Sequence, residues 1–453
     1  MPIRTAVVIV QVAHKTWKLR SDDTAKRGDD AMKSPFQWCL VVIGLLAAFA
    51  NAAKAESDDE EAEDNCISYK LSEPFNWTEP DSGFRVAADV LIWTRTTTAT
   101  GTPVIGGPES FTLGGLSNGF VGGYRIGGSW LIDPNYELEG VWTTFSDWTA
   151  NGGGLLSRAI SFNNGQGNTL VDPSGNANFI NTGTFFRPVF DAAMDPLANP
   201  AIQNYAFLKG NSTYTLNSFS SLHDTQVNFK TRRSSNRRFA FGIGYRNVGF
   251  DESTTAVVSG TFGTNDIPAG GTTHTILTDQ ALTKHGLTLL SGAADGWTNT
   301  PANPMTLSML WNGTASNQMN GIQATTEANL LQRGPFSLEG VIRKGIFYNR
   351  ISGTAREVYA ASGSDDSVYG RSFADDRDVV SFVGNAGLNG VYSVNDFVRF
   401  RAGYEVMLLT NMAVAGNQQN GISYNSVGNA SYSVQGGSNI FFHGARAGLE
   451  LIW

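Results

Sequence analysis

From residue 84 to the C-terminus, apolar and polar positions alternate with a period of two in ten segments: Phe84–Thr94, Gly119–Leu131, Tyr136–Thr144, Leu222–Arg233, Arg238–Glu252, Asn317–Leu331, Phe336–Ile351, Val379–Val391, Phe397–Thr410 and Asn439–Trp453. The last segment shows the pattern most plainly. Trp453, Leu451, Leu449, Ala447 and Ala445 form one apolar row, and the alternate row of Ile452, Glu450, Gly448, Arg446 and Gly444 is mostly small or charged. A period of two places such rows on opposite faces of a β-strand. A strand with one lipid-like face and one polar face, ending on an aromatic residue, is the expected C-terminal assembly signal of an outer-membrane barrel. Most segments exceed the ~9–11 residues a tilted strand needs to cross a bilayer, so several are expected to project beyond it.

Connection lengths alternate. Four are tight and rich in turn residues, at 132–135, 234–237, 332–335 and around 393–396. Five are long: 95–118, 145–221, 253–316, 352–378 and 411–438. Strict long–short alternation predicts an all-β, antiparallel up-and-down transmembrane barrel of about ten strands, with short periplasmic turns and long extracellular loops. Thr254–Phe262 and Met305–Trp311 leave twelve strands open, or else extra strand pairs above the membrane. Local folding is expected within 145–221, because structureless loops of that length are uncommon.

The parity sorts the charges. Arg85, Asp89, Arg125, Glu137, Glu139, Asp224, Lys230, Arg238, Arg246, Glu327, Glu339, Arg343, Arg399, Arg401, Glu405, Arg446 and Glu450 all fall on the lumen-facing row. A slip of one residue would move them into lipid, costing roughly 2–4 kcal/mol for each midplane Arg or Lys. Acids and bases nearly balance. The interior is therefore either a closed core of ion pairs, which a narrow ring favours, or a narrow, weakly selective channel. Lys344 alone breaks the pattern: it lies on the lipid row between Ile342 and Ile346, where a bulge or a rim position would relieve it. Trp93, Trp130, Trp142, Trp148, Tyr348, Tyr404 and Trp453 are expected in interfacial girdles.

Composition agrees with this division. Only 16% of the 453 residues are charged and 51 are glycine, against averages of about 25% and about 7%. The net charge of −8 argues against nucleic acid, whose binding rests on basic clusters. Ahead of the barrel, Met32-Lys33, the apolar run Leu40–Ala50 and Ala52-Ala53-Lys54-Ala55 form a signal-peptide pattern with cleavage near Ala55, or less well after Ala50. Residues 1–31 are either an extension upstream of a start at Met32 or a long n-region. Residues 56–83, opening with the acidic run Asp58–Asp64, read as a disordered periplasmic segment. Cys66 is then the single mature cysteine, so no internal disulfide forms.

No enzymatic motif, cofactor motif or metal-ligand spacing is present. His223, Asp224 and His443 lie at outer strand ends, but adjacent strand residues point to opposite faces. Catalysis by a rim hydrolase is thus the least supported reading. The cluster Asn151-Gly152-Gly153-Gly154 lacks the frame of a phosphate cradle and reads as a flexible loop.

The stretches Gly122–Leu131 with Tyr136-Glu137-Leu138-Glu139, Arg399–Val406 and Phe442–Glu450 resemble the beta-barrel porin-7 family of bacterial outer-membrane proteins, and the likeness covers most of residues 84–453. It implies architecture and location and assigns no functional residue. The expected function is a porin-like passive channel for small solutes. The alternative is a plugged barrel whose long loops bind an external partner. Expected partners are outer-membrane lipid and the barrel-assembly machinery.

Overall fold

The computed structural model describes residues 83–96, 103–161 (except 117), 177–180, 186, 206–231, 239–264, 274–294 (except 278 and 285), 297–299, 304–363, 366–424 and 430–453. The signal peptide, the acidic segment, Cys39, Cys66, Arg238, His285 and the turn at 234–237 lie outside the described residues.

Ten strands form the ring: β1 Phe84–Arg95, β2 Val121–Asp133, β3 Tyr136–Phe145, β4 Ser212–Thr231, β5 Phe239–Thr264, β6 Thr306–Arg333, β7 Phe336–Ser362, β8 Ser367–Ser393, β9 Val398–Met412 and β10 Ser438–Ile452. Each pairs antiparallel with the next, and β10 pairs back onto β1. Closure leaves the ring without a sheet edge, which is the condition for a sheet to lie in lipid. At the seam Phe84 and Trp453 exchange backbone hydrogen bonds of 3.2 and 3.1 Å, and their rings meet edge to face at 5.1 Å. Ala445, Ala447, Leu449, Leu451 and Trp453 occupy the outward parity of β10 and its end.

The strands are much longer than a membrane crossing. β5 to β8 run 26, 28, 27 and 27 residues. At ~3.3 Å per residue and a tilt near 40°, β6 rises about 70 Å, against a lipid belt of ~25 Å. Thr254–Phe262 and Met305–Trp311, which the sequence leaves as extra strand pairs above the membrane or as a further transmembrane hairpin, lie at the upper ends of β5 and β6, which pair with each other from Thr254 with Gly313 to Thr261 with Thr306. The supposed flexible cluster Asn151–Gly154 sits within a strand, Trp148–Leu156, that pairs with the upper part of β4. Glycine is accommodated there because the Tyr214 ring lies against Gly154, within 3.0 Å of where a Cβ would stand.

The reason these extensions escape a sequence reading is physical. Along β6 the outward row reads Leu330, Ala328, Thr326, Ala324, Ile322 and then Asn320, Gln318, Ser316, Thr314, Asn312. Glycines aside, the inward row reads Glu327, Thr325, Gln323 and then Met319, Asn317, Ala315, Trp311, Met309, Leu307, with Asn317 the one polar residue of the upper stretch. Both rows reverse character near residue 320 with the register unbroken. β4, β5 and β7 reverse similarly near Asp224, Arg246 and Tyr348. Below the reversal the barrel is apolar outside and polar inside, as lipid demands; above it the wall is polar outside and packs an apolar core, as water demands.

That upper core joins the wall to the inserted segments: Trp311, Tyr359 and Tyr369 pack with Val104, Ile105, Leu113 and Trp297. A second apolar layer fills the ring just beneath, with Trp93, Phe145, Trp148, Phe442 and Phe250 in succession at centroid spacings of 4.9 to 6.1 Å. Trp93 and Trp148 therefore point inward, at 1% and 0% exposure, and are not girdle residues. Trp93 shares parity with Asp89 and lies above the level where the inward row turns apolar, and Trp148 opens the strand Trp148–Leu156 that lines the upper part of β4. Trp130, Trp142, Tyr348, Tyr404 and Trp453 face outward and are exposed.

Candidate functional site: the barrel interior

The lower interior is built from the charged row, and three clusters form. Nearest the short turns, the Lys230 ammonium lies 3.0, 3.3 and 2.9 Å from Glu137, Glu139 and Glu327. Arg85 reaches Glu137 at 3.1 Å, and Arg343 reaches Glu139 and Glu327 at 3.4 and 3.8 Å. On the other side of the ring Arg401 grips Asp89 with two bonds of 2.9 Å and Glu450 at 3.2 Å. Arg446 bridges Asp89 and Glu405 at 3.7 and 2.8 Å, Arg125 adds a second cation to Glu405 at 2.9 Å, and Arg399 lies 3.9 Å from Glu450. Glu339 sits on the same inward parity of β7.

Above these, Arg246 is fully buried and makes a fork-to-fork pair with Asp224 at 2.8 and 2.9 Å. Two parallel charge-assisted bonds fix both planes. Its remaining nitrogen donates to Asn385 at 2.7 Å, and Gln323 donates to Gln226 and Asn228 at 3.0 and 2.8 Å. These amides were not singled out in the sequence, although they share the inward parity; neutral polar residues carry no sign by which to sort them.

The sequence reading also missed the upper latch. The penultimate residue of β9, Asn411, has a left-handed φ of 55°, and β10 is entered after Gly437 at 91°. Between them a 3-10 turn, Ala415–Gly421, folds into the ring and reaches β5, β6 and β7, roughly opposite its own strands. Asn317 on β6 donates to Ala413 O and accepts from Ala413 N–H, both at 2.8 Å. Glu252 on β5 accepts the Ala415 N–H at 2.7 Å, while its other oxygen takes Arg95 at 2.5 Å. Gln419 donates to Glu357 on β7, itself buried against Arg371. Arg95 lies one residue past the expected strand end, and Glu252 is inward on the same row as Arg246. Extending the parity would have found both.

Among the described residues, the two histidines and the aspartate singled out in the sequence are not brought together. His223 and His443 stand on the outward parity of β4 and β10, far apart in the ring, and His443 Nδ1 is hydrogen-bonded to the Tyr404 hydroxyl at 2.5 Å on the outer surface. Asp224 points the opposite way from His223, into the Arg246 pair.

The fold is that of a transmembrane β-barrel. No family model matches the chain, and no curated protein matches it. Among solved structures it is similar to the outer membrane protease OmpT from Escherichia coli, at 10% identity over 83% of this chain and 98% of that one, TM-score 0.37. It is also similar to the toluene transporter TodX of Pseudomonas putida, at 10% identity over 83% and 91%, TM-score 0.21. A third is the translocator domain of autotransporter NalP from Neisseria meningitidis, at 9% identity over 92% and 98%, TM-score 0.19. These likenesses are too distant to transfer a protease or transport activity.

Proposed function

We propose that the protein is an outer-membrane barrel sealed by its own interior, which carries a folded head above the membrane as a surface module. The observation that carries this reading is the fill of the ring at one level: Trp93, Trp148, Arg246, Phe250, Met319 and Phe442 are all essentially fully buried, and the 413–421 segment crosses above them. A ten-strand ring is narrow enough for side chains to close it. A head that owns an apolar core and extends the strands far beyond the lipid belt is suited to presenting a fixed surface to an external partner. The proposal includes no enzymatic step. The closed ring with its apolar outer belt and charged interior supports the compartment.

Single-channel conductance of the refolded barrel tests it, with heat-modifiable gel mobility as the folding control. The sealed reading expects a folded, silent barrel. Discrete conductance steps would sink it and favour the porin-like passive channel for small solutes, whose support is the continuous charged lining from Arg85 to Arg246.

A further inference from the structure

Above the ring the wall is no longer closed. β2 lies beside β3 only as far as Ser146, whose N–H donates to Gly122 O at 2.9 Å. The strand Trp148–Leu156 carries on from β3 after a bulge: His223 pairs with Thr144 but Ser220 with Trp148, which leaves one extra residue on the β3 side. Among the described residues it pairs with β4 alone. At the far end of the tall wall, Thr288–Gly292 pairs with the top of β8. The wall thus has two edges in water, and a sheet edge is a row of unpaired backbone donors and acceptors.

The two edges differ. Thr288–Gly292 is 5 residues long, its register breaks between Leu289 and Ser291, and it ends on Gly292 with a φ of 93°. A short, irregular strand is a blunted edge. Trp148–Leu156 runs 9 residues in unbroken register with β4 and carries no proline and no charge. Thr149, Asn151, Gly153, Gly154 and Leu155 are exposed, Leu155 at 61%. Three consecutive glycines leave the backbone unshielded by side chains. Alternate residues of an antiparallel strand turn both backbone groups to the same side, so about four residues offer theirs to the free side.

The edge and the membrane together select the occupant. A row of main-chain donors and acceptors is matched by another main chain in extended form. The uncharged strand offers nothing to a charged segment, and Leu155 offers an apolar contact. A second copy in the same membrane does not fit. Antiparallel pairing of two identical edges needs a two-fold axis perpendicular to the sheet, which would turn one barrel upside down. An axis along the membrane normal instead crosses strands tilted near 40° at about 80°.

We propose that the free edge of Trp148–Leu156 is a docking site that takes one added strand from an extended, uncharged segment of an external protein, with an apolar side chain of that segment beside Leu155. The proposal rests on the reading of the head as a surface module and names the form of its partner. The full refolded barrel is mixed with a panel of labelled, end-blocked peptides of about six residues that alternate Val, Leu or Phe with Thr. Binding is read by fluorescence anisotropy, and its place by amide exchange and mass spectrometry. At least one peptide is expected to bind and to slow exchange within Trp148–Leu156 while Thr288–Gly292 is unchanged. N-methylation of alternate amides of that peptide should abolish binding, and Leu155→Lys should weaken it about ten-fold. Binding by no member of the panel, equal binding by the methylated form, or protection elsewhere in the head overturns the site. Clustering of barrel-bearing vesicles without peptide would assign the edge to an opposing copy and overturn the partner. Conductance of the same sample is scored separately: a conducting barrel fails the sealed-display reading, whereas a silent barrel whose edge stays unprotected fails only this site.

Discussion

Arg401 and Asp89 are 312 residues apart in sequence, yet they make two parallel bonds of 2.9 Å by reaching over β10 from β9 to β1. The pair ties the last strands of the chain to the first from inside, while Phe84 and Trp453 tie them along the backbone. Asp89 is fully buried, and its charge is balanced by Arg401 and Arg446.

Asp89→Ala should therefore lower the stability of the folded barrel by about 3–5 kcal/mol, because it removes the buried carboxylate that Arg401 and Arg446 share. The double variant Asp89→Leu/Arg401→Met should recover most of that loss. Urea unfolding in vesicles, followed by gel mobility, measures both; a double variant as weak as the single would contradict the pairing.

Asn317 holds both backbone groups of Ala413. Asn317→Ala strands them in a buried site, a loss of about 1–3 kcal/mol. Amide exchange at Ala413 and Ala415 should accelerate roughly ten- to a hundred-fold, while exchange in β1 to β3 stays unchanged. Uniform acceleration throughout the barrel would show that the insert is not a separate unit.

Glu109 lies in the segment above β1, and its carboxylate accepts the N–H groups of Ser157 and Arg158 at 3.2 and 3.1 Å, the Asn178 amide at 2.8 Å and the Ser157 hydroxyl. These bonds, with the Ser157 hydroxyl foremost, hold its pKa down at about 2. The folded pKa lies below the ordinary value of 4.5, so the clasp is complete above that value and is lost as pH falls through about 2. Carbon NMR of the Glu109 carboxyl should titrate there. A midpoint near the ordinary value would mean the clasp does not form.

The reversal of the wall places the lipid belt. Ile243, 71% exposed on the outward row of β5, lies below it; Asn217, outward on β4, lies above. Ile243→Arg should cost about 2–4 kcal/mol on folding into vesicles. Asn217→Arg should stay within about 0.5 kcal/mol of wild type. Equal penalties would displace the belt upward.

The order of ten strands, the sides their charges take and the placement of every tight turn within the described residues follow from a period of two and turn chemistry. Those are local properties, and Arg401, Tyr404 and Glu405 already declare them in five residues of sequence. What only the tertiary structure decided lies above residue 320 on β6 and its equivalents. There the solvent outside the wall changes from lipid to water, so the same alternation continues with its meaning reversed, and a pattern read for lipid stops at Asn317 where the strand does not. The inward placement of Trp93 and Trp148 and the latch of Glu252 to Ala415 depend on which segments meet inside the closed ring. That is set by closure and packing between distant residues, which no local period encodes.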